Sequence, residues 1–381
     1  MRNRFYVAIV AAAAVVALAD PSASAAGHAI AASKSTAQCP GGTLLTAVSE
    51  RRLPAGAIAY TYDLPGGRSF ENIAPPAGFS VTTASNALLT ELNLPQRPSA
   101  AVARKGWQAQ VEPFGKSDIS GAEKFCTGTT TTEPAPPPVV AGSGTANGTA
   151  SPLASLGHTG STIWSGYELR DGSYEKVVGH FTQPLVSTNS NDAMFNWIGL
   201  NGSGSNGRLL QAGTENSPGS TVGEPFWEEY CGAVPNDGCN YVQPVGTADA
   251  GAGADVSVSV SFNPATDLSY YALAINGTQY INVQYPMESG SNSGVVADFI
   301  TERPSGRNLP VFTAVDFSGS RTYSIWNSDS SVPFGSQDFY SYELTSNGSF
   351  YSAPCSTSAN ILMFPNDITS GGFVNNFCAS S

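Results

Sequence analysis

Between Asp255 and Phe262 the chain alternates polar and apolar at every step (Asp-Val-Ser-Val-Ser-Val-Ser-Phe). A period of two is the signature of a β-strand with one buried and one wet face. Tyr270 to Ile275, then Asn276-Gly277, then Thr278 to Val283 reads as a hairpin, because an Asn-Gly pair supplies the two positive-φ residues of a tight turn. Asn201-Gly202, Asn206-Gly207 and Asn347-Gly348 repeat this punctuation. With 40 Gly and 26 Pro among 381 residues, and no long helix in view, the region after residue 160 reads as all-β, a sandwich or jelly roll. Only 12% of residues are charged, about half the usual share, and 41% are hydrophobic, which argues against bulk disorder.

Residues 127–160 interrupt the pattern. Four consecutive threonines, Pro134-Ala135-Pro136-Pro137-Pro138 and a Gly/Ser/Ala/Thr run cannot bury a core and read as an extended linker. The expected organisation is a signal peptide (1–25), a propeptide or accessory region (26–126), the linker (127–160) and a catalytic sandwich (161–381). In the first of these, Met-Arg-Asn-Arg precedes an apolar run from Phe5 to Ala19, with Ala23-Ser24-Ala25 or Ala17-Leu18-Ala19 as cleavage site. That run is shorter than the roughly 20 residues that span a bilayer, so export to the extracellular space is expected rather than anchoring. Ser85 to Leu94 is the clearest helix of the N-terminal region, capped by Ser85 and ended by Pro95, amid short β runs.

Six cysteines in an exported chain suggest disulfides. Nearest-neighbour pairing gives Cys39–Cys126, Cys231–Cys239 and Cys355–Cys378, one of fifteen possible connectivities. A metal site is poorly supported, with no CxxC and only His28, His158 and His180; no cofactor is expected. The charge is uneven. Residues 26–126 carry nine basic and seven acidic side chains, while residues 161–381 carry six basic and twenty acidic ones, Lys176 being the only lysine there. A net −12 without basic clusters excludes nucleic acid and anionic membrane as partners.

No G-x-S-x-G elbow, P-loop, dinucleotide fingerprint or EF-hand loop is present. His180 lies in a strand-like run, where a lone histidine is usually structural. Four segments instead set polar groups inside apolar strands: Ile163 to Tyr167, Phe195 to Asn201, Leu209 to Gly213 with Phe226 to Tyr230, and Ala297 to Pro304. Alternation puts Trp197 with Asn201, Trp227 with Glu229, and Asp298 with Glu302 on common faces. Acids there are costly unless paired or facing a cleft, though acids on one face of an antiparallel sheet are most often simply solvated.

In order, Trp164-Ser165-Gly166, Trp197-Ile198-Gly199-Leu200, Leu210-Gln211-Ala212-Gly213, Trp227-Glu228-Glu229 and Ala297-Asp298-Phe299-Ile300-Thr301-Glu302 resemble the motifs of the G1 glutamic peptidases, the eqolisins. The resemblance covers about Ile163 to Pro304. It implies a concanavalin-like, jelly-roll sandwich of two antiparallel sheets, preceded here by a small mixed α/β region, and a secreted acid endopeptidase acting as a monomer on protein or peptide substrates. Gln211 and Glu302 match the family's catalytic dyad; Trp164, Trp197, Asn201, Trp227 and Glu229 match residues around it. Asn201 stands where members tend to carry aspartate, Pro225 where an acid is common, and Asp298 replaces a glutamate, which implies a less acidic optimum. The family's zymogen organisation implies that the near-neutral N-terminal region is the domain's own inhibitor, docked at neutral pH and released in acid. Two readings from other classes compete: a jelly-roll glycoside hydrolase using Glu229 and Glu302, and a noncatalytic binding module.

Overall fold

The computed structural model describes Cys39 and residues 42–119, 121, 123–128, 155–170, 172–201, 208–230, 240–246, 249–287, 294, 296–324, 331–337, 339–351, 355, 360–366, 368 and 371–379. The expected signal peptide, most of the linker and the Cys231–Cys239 pair lie outside the described residues. The N-terminal region contributes β1 (Thr43–Leu45), β2 (Ser49–Arg52), β3 (Ile58–Asp63), β4 (Ser69–Ala74), α1 (Asn86–Glu91), α2 (Ala101–Val111), β5 (Lys116–Ser117) and β6 (Lys124–Thr127). Then follow β7 (Ser155–Ser161), β8 (Trp164–Leu169), β9 (Lys176–Thr182), β10 (Val186–Ser187), β11 (Met194–Leu200), β12 (Leu209–Asn216), β13 (Glu224–Tyr230) and β14 (Asn240–Val245). The chain continues through β15 (Asp255–Asn263), β16 (Leu268–Ile275), β17 (Thr278–Pro286), β18 (Ala297–Glu302), β19 (Val311–Phe312), β20 (Val315–Tyr323), β21 (Val332–Pro333), β22 (Phe339–Thr345), β23 (Ile361–Pro365) and β24 (Phe373–Phe377).

The strands form two layers. The front sheet runs β1-β6-β14-β13-β12-β11-β18-β8-β22. The back sheet runs β3-β4-β17-β16-β15-β9-β20-β24. In both orders every pairing is antiparallel, and β23 bonds to β22 and β24 and so links the layers. Between them Ile198, Leu210, Ala212, Trp227 and Phe299 of the front sheet meet Val256, Val258, Val260 and Tyr271 of the back sheet in one core. The all-β antiparallel sandwich expected from the turn pattern is what forms.

Local chemistry accounts for several elements. Ser85 caps α1, its Oγ accepting from Leu88 N at 3.1 Å. Asn276 and Gly277, with φ of 50° and 73°, close the β16–β17 hairpin. Two of the expected disulfides are present, Cys39–Cys126 and Cys355–Cys378.

Two features differ from the sequence reading. Helix α2 was hidden by its mixed composition and Gly106; it is held by tertiary packing, with Trp107 and Val111 buried. The serine face of β15 is not wet. Ser257, Ser259 and Ser261 are buried, and Ala272 and Ala274 beside them pack against Leu88, Leu89, Trp107 and Val111 from the two helices. Small side chains leave room for that third layer. Among the described residues no helix is long and apolar enough to cross a membrane.

Candidate active site

Alternation gives the front sheet a second face, turned away from the common core. Trp164, Phe195, Trp197, Leu209, Phe226, Ile300 and Tyr342 cluster there. The cross-strand register arranges this face in three parallel rows. The first is Glu228–Gln211–Gly199–Asp298–Glu168, on β13, β12, β11, β18 and β8. The second is Phe226–Gly213–Trp197–Ile300–Gly166–Tyr342. The third is Glu224–Glu215–Phe195–Glu302–Trp164.

Gln211 and Glu302 therefore share the face but not the row. Gln211 is fully buried, and its Nε2 donates to Glu228 Oε2 at 2.7 Å. Glu302 is 2% exposed, and its Oε2 accepts from Trp197 Nε1 at 2.9 Å. Trp197 stands in the row between them and spans the interval. Its Cζ3 lies 3.2 Å from where a Cβ on Gly199 would sit, so glycine at 199 makes room for the ring beside Gln211. Trp164 packs edge-on against Trp197, ring centroids 5.2 Å apart, and against Tyr342 at 5.7 Å.

The far end of the first row carries its own charge balance. Glu168, opposite Asp298, forms an ion pair with Arg170 and accepts from the Tyr342 hydroxyl at 3.2 Å. Arg170 also lies over the Tyr340 ring at 4.4 Å. In the third row Glu215 and Glu224 face each other directly, a like-charge pair. Burial pushes Glu224 up to about 7, helped by Glu215 and Asp249, while hydrogen bonds from Ser217 and Gln243 oppose the rise. Burial also raises Glu215, against hydrogen bonds from Tyr241 and Ser217 and the charge of Arg307.

Three residues grouped with the site on sequence alone lie elsewhere. Trp227 and Glu229 point between the sheets. Trp227 packs on Tyr271 at 5.0 Å and Phe70 at 5.3 Å, and Glu229 Oε1 accepts from buried Arg208 at 2.7 Å. Asn201 lies just past β11, where φ of 70° takes it out of the strand alternation. The residues that stand beside Gln211 and were missed are Phe226 and Glu228, each one position earlier on β13. Period two could not separate Trp227-Glu229 from Phe226-Glu228; the β12 register does, by setting Glu228 opposite Gln211. Glu229 and Glu302 lie on opposite faces of one sheet, so they share no site at which a glycosidase pair would act.

The two described histidines stand apart from this face. His180 Nδ1 and Ser257 Oγ are 2.7 Å apart on the outer side of the back sheet, and His158 is paired with Ser341 and stacked on Phe350. Among the described residues no group of His, Cys, Asp or Glu could hold a metal ion.

Residues 162–361, which contain all three rows, match the model of the Peptidase A4 family. The chain belongs to this family, the glutamic peptidases, and is a peptide-bond hydrolase. Among solved structures it is similar to scytalido-glutamic peptidase bound to a transition state analog inhibitor, at 15% identity over 57% of this chain and 98% of that one, TM-score 0.43. It is likewise similar to SCP-B, an eqolisin in complex with the tripeptide Ala-Ile-His, at 16% identity over 57% and 98%, TM-score 0.42. A third similar structure is aspergilloglutamic peptidase from Aspergillus niger, at 14% identity over 49% and 99%, TM-score 0.34. No curated protein matches the chain.

Proposed function

We propose that this peptidase is a secreted acid endopeptidase in which Glu302 and Gln211 act as the catalytic pair. The observation that carries the reading is their placement: both are buried on one face of the front sheet, on the two strands that flank β11, and each is fixed by a hydrogen bond from or to a residue of that face. Peptide hydrolysis needs a base for water, a donor for the developing oxyanion and an acid for the leaving amine. Glu302, oriented by the bond it accepts from Trp197 Nε1, takes the water's proton and later returns that proton to the leaving nitrogen. Gln211, oriented by its bond to Glu228, is the carboxamide assigned to the developing oxyanion.

Disulfides and the basic–apolar–small pattern at the N-terminus support export. The raised Glu215 and Glu224, close to the catalytic rows, support a working range on the acid side in which that pair stays largely protonated.

Casein digestion tests the assignment. Gln211→Ala is expected to lower turnover by about 10²–10³, the usual loss for one oxyanion donor, with the fold unchanged by circular dichroism. Undiminished cleavage by Gln211→Ala would remove the glutamine from the mechanism.

A further inference from the structure

The sequence suggests an N-terminal inhibitor that acid releases. The contacts made by residues 42–128 suggest a different fate. We infer that this region is a permanent part of the folded enzyme, so that cutting the 129–154 segment leaves a two-chain molecule and not a freed propeptide.

The region completes both sheets. Strand β6 extends the front sheet by pairing with β14 over four residues, Lys124 to Thr127, and β1 adds beyond it. Strand β4 pairs with the opposite edge strand of the back sheet, β17, and β5 runs along β17 in parallel. Each of these strands satisfies backbone groups that β14 and β17 would otherwise leave exposed as open edges.

Its side chains enter the shared core. Tyr62, Phe70 and Phe125 are buried and form an aromatic group in which Phe70 meets Trp227 edge-on. Removing them would open Trp227, Tyr271 and Tyr285 to water. Asn72 and Asn282 lock the back-sheet junction: Asn282 N donates to Asn72 Oδ1 at 3.1 Å, and Asn282 Nδ2 donates to Ile73 O at 2.9 Å.

Polar groups of the catalytic sandwich depend on the same region. Lys176, fully buried, donates from Nζ to Asn93 O at 2.8 Å, and Ser261 Oγ donates to Asn93 Oδ1 at 2.9 Å. Asn93, in the left-handed region at φ +55°, thus offers both its backbone and its side-chain oxygen to the sandwich. Tyr323 donates to Gln110, and Arg68 Nη1 donates to Tyr285 at 2.8 Å with Glu229 Oε2 at 3.9 Å.

Two charged groups stand at the junction: Lys176, which burial lowers to about 7 and which still donates to Asn93 O once acid charges it, and the Arg68–Glu229 pair; the other contacts join neutral groups, so acid removes few of them. The contacts gather at sheet edges, in the core and on the back sheet's outer face, and none of them involves Gln211 or Glu302. The inference concerns association and holds whether or not those two residues are the catalytic pair.

The test replaces residues 134–140 with the recognition sequence of a specific protease and cuts the full-length protein there. Cys39–Cys126 lies before the cut and Cys355–Cys378 after it, so neither disulfide ties the pieces together. Expected is co-elution of both pieces at the mass of the uncut chain, at pH 7 and at pH 4, on gel filtration without denaturant. Separation at either pH, with the larger piece still folded, would overturn the inference. In the cut protein Phe70→Ala should speed exchange of the pieces at least tenfold, read by mixing labelled and unlabelled fragments. An unchanged exchange rate would show that the aromatic group does not hold them and would also count against it.

Discussion

The two outer faces of this sandwich are built from the same strand geometry and carry opposite chemistry. The front face holds Gln211, Asp298, Glu302, Glu168, Glu215, Glu224 and Glu228 in three rows, two of which also carry tryptophan and phenylalanine. The back face presents serine and alanine, and helices α1 and α2 lie on it. A surface meant to be covered for good is made small and self-satisfying, whereas a surface meant to react keeps acids whose ionised form is costly to bury. On the proposed reading the front face is the reactive one, and it carries six of the twenty acids of residues 161–381.

The comparison breaks first at β13, whose adjacent glutamates face opposite ways. Glu229→Gln would leave Arg208 buried without its counter-charge and should cost about 3 kcal/mol in urea unfolding. Glu228→Gln should change stability by less than about 1 kcal/mol, since an amide of the same shape still accepts from Gln211, while slowing casein cleavage. The reverse pattern would mean that the faces are assigned the wrong way round.

A second way to break it is to enlarge the back face. Ala272 is fully buried in the helix-covered cluster. Ala272→Leu should destabilise by about 2 kcal/mol through overpacking. A neutral result would mean that the helical layer is not closely fitted to the sheet.

A third effect concerns pH. The folded-state value of Glu224, about 7, lies above the ordinary carboxylate value of 4.5. Its contribution is therefore full below pH 4.5 and is lost as pH rises toward 7, because the unfolded chain ionises first. Glu224→Gln should flatten this fall in stability between pH 4.5 and 7, a change on the order of 2 kcal/mol after allowance for partial exposure. An unchanged slope would remove Glu224 from the pH response.

Much of this was legible in the sequence because it is local. The Ser85 cap, the Asn276-Gly277 turn and the alternation of β15 are short-range signals, and the ordered motifs from Trp164 to Glu302 named the family. What was not legible depends on register and on partners distant in sequence. Whether Trp227-Glu229 or Phe226-Glu228 faces Gln211 is decided by pairing with β12, not by the tetrapeptide. That the serines of β15 are dry is decided by helices more than 140 residues earlier in the chain. Asn201 left the strand alternation through its own backbone angle, which an Asn-Gly step permits but does not dictate.

The most direct test of the central claim is the rate of casein cleavage by the wild type and by Glu302→Gln from pH 2 to pH 8. Glu302→Gln keeps the side-chain shape but can neither take the water's proton nor return it. The account predicts a wild-type rate that peaks on the acid side and a variant rate at background across the whole range, with both proteins equally folded. Equal cleavage by the two would contradict it and move the catalytic base to another carboxyl of the same face.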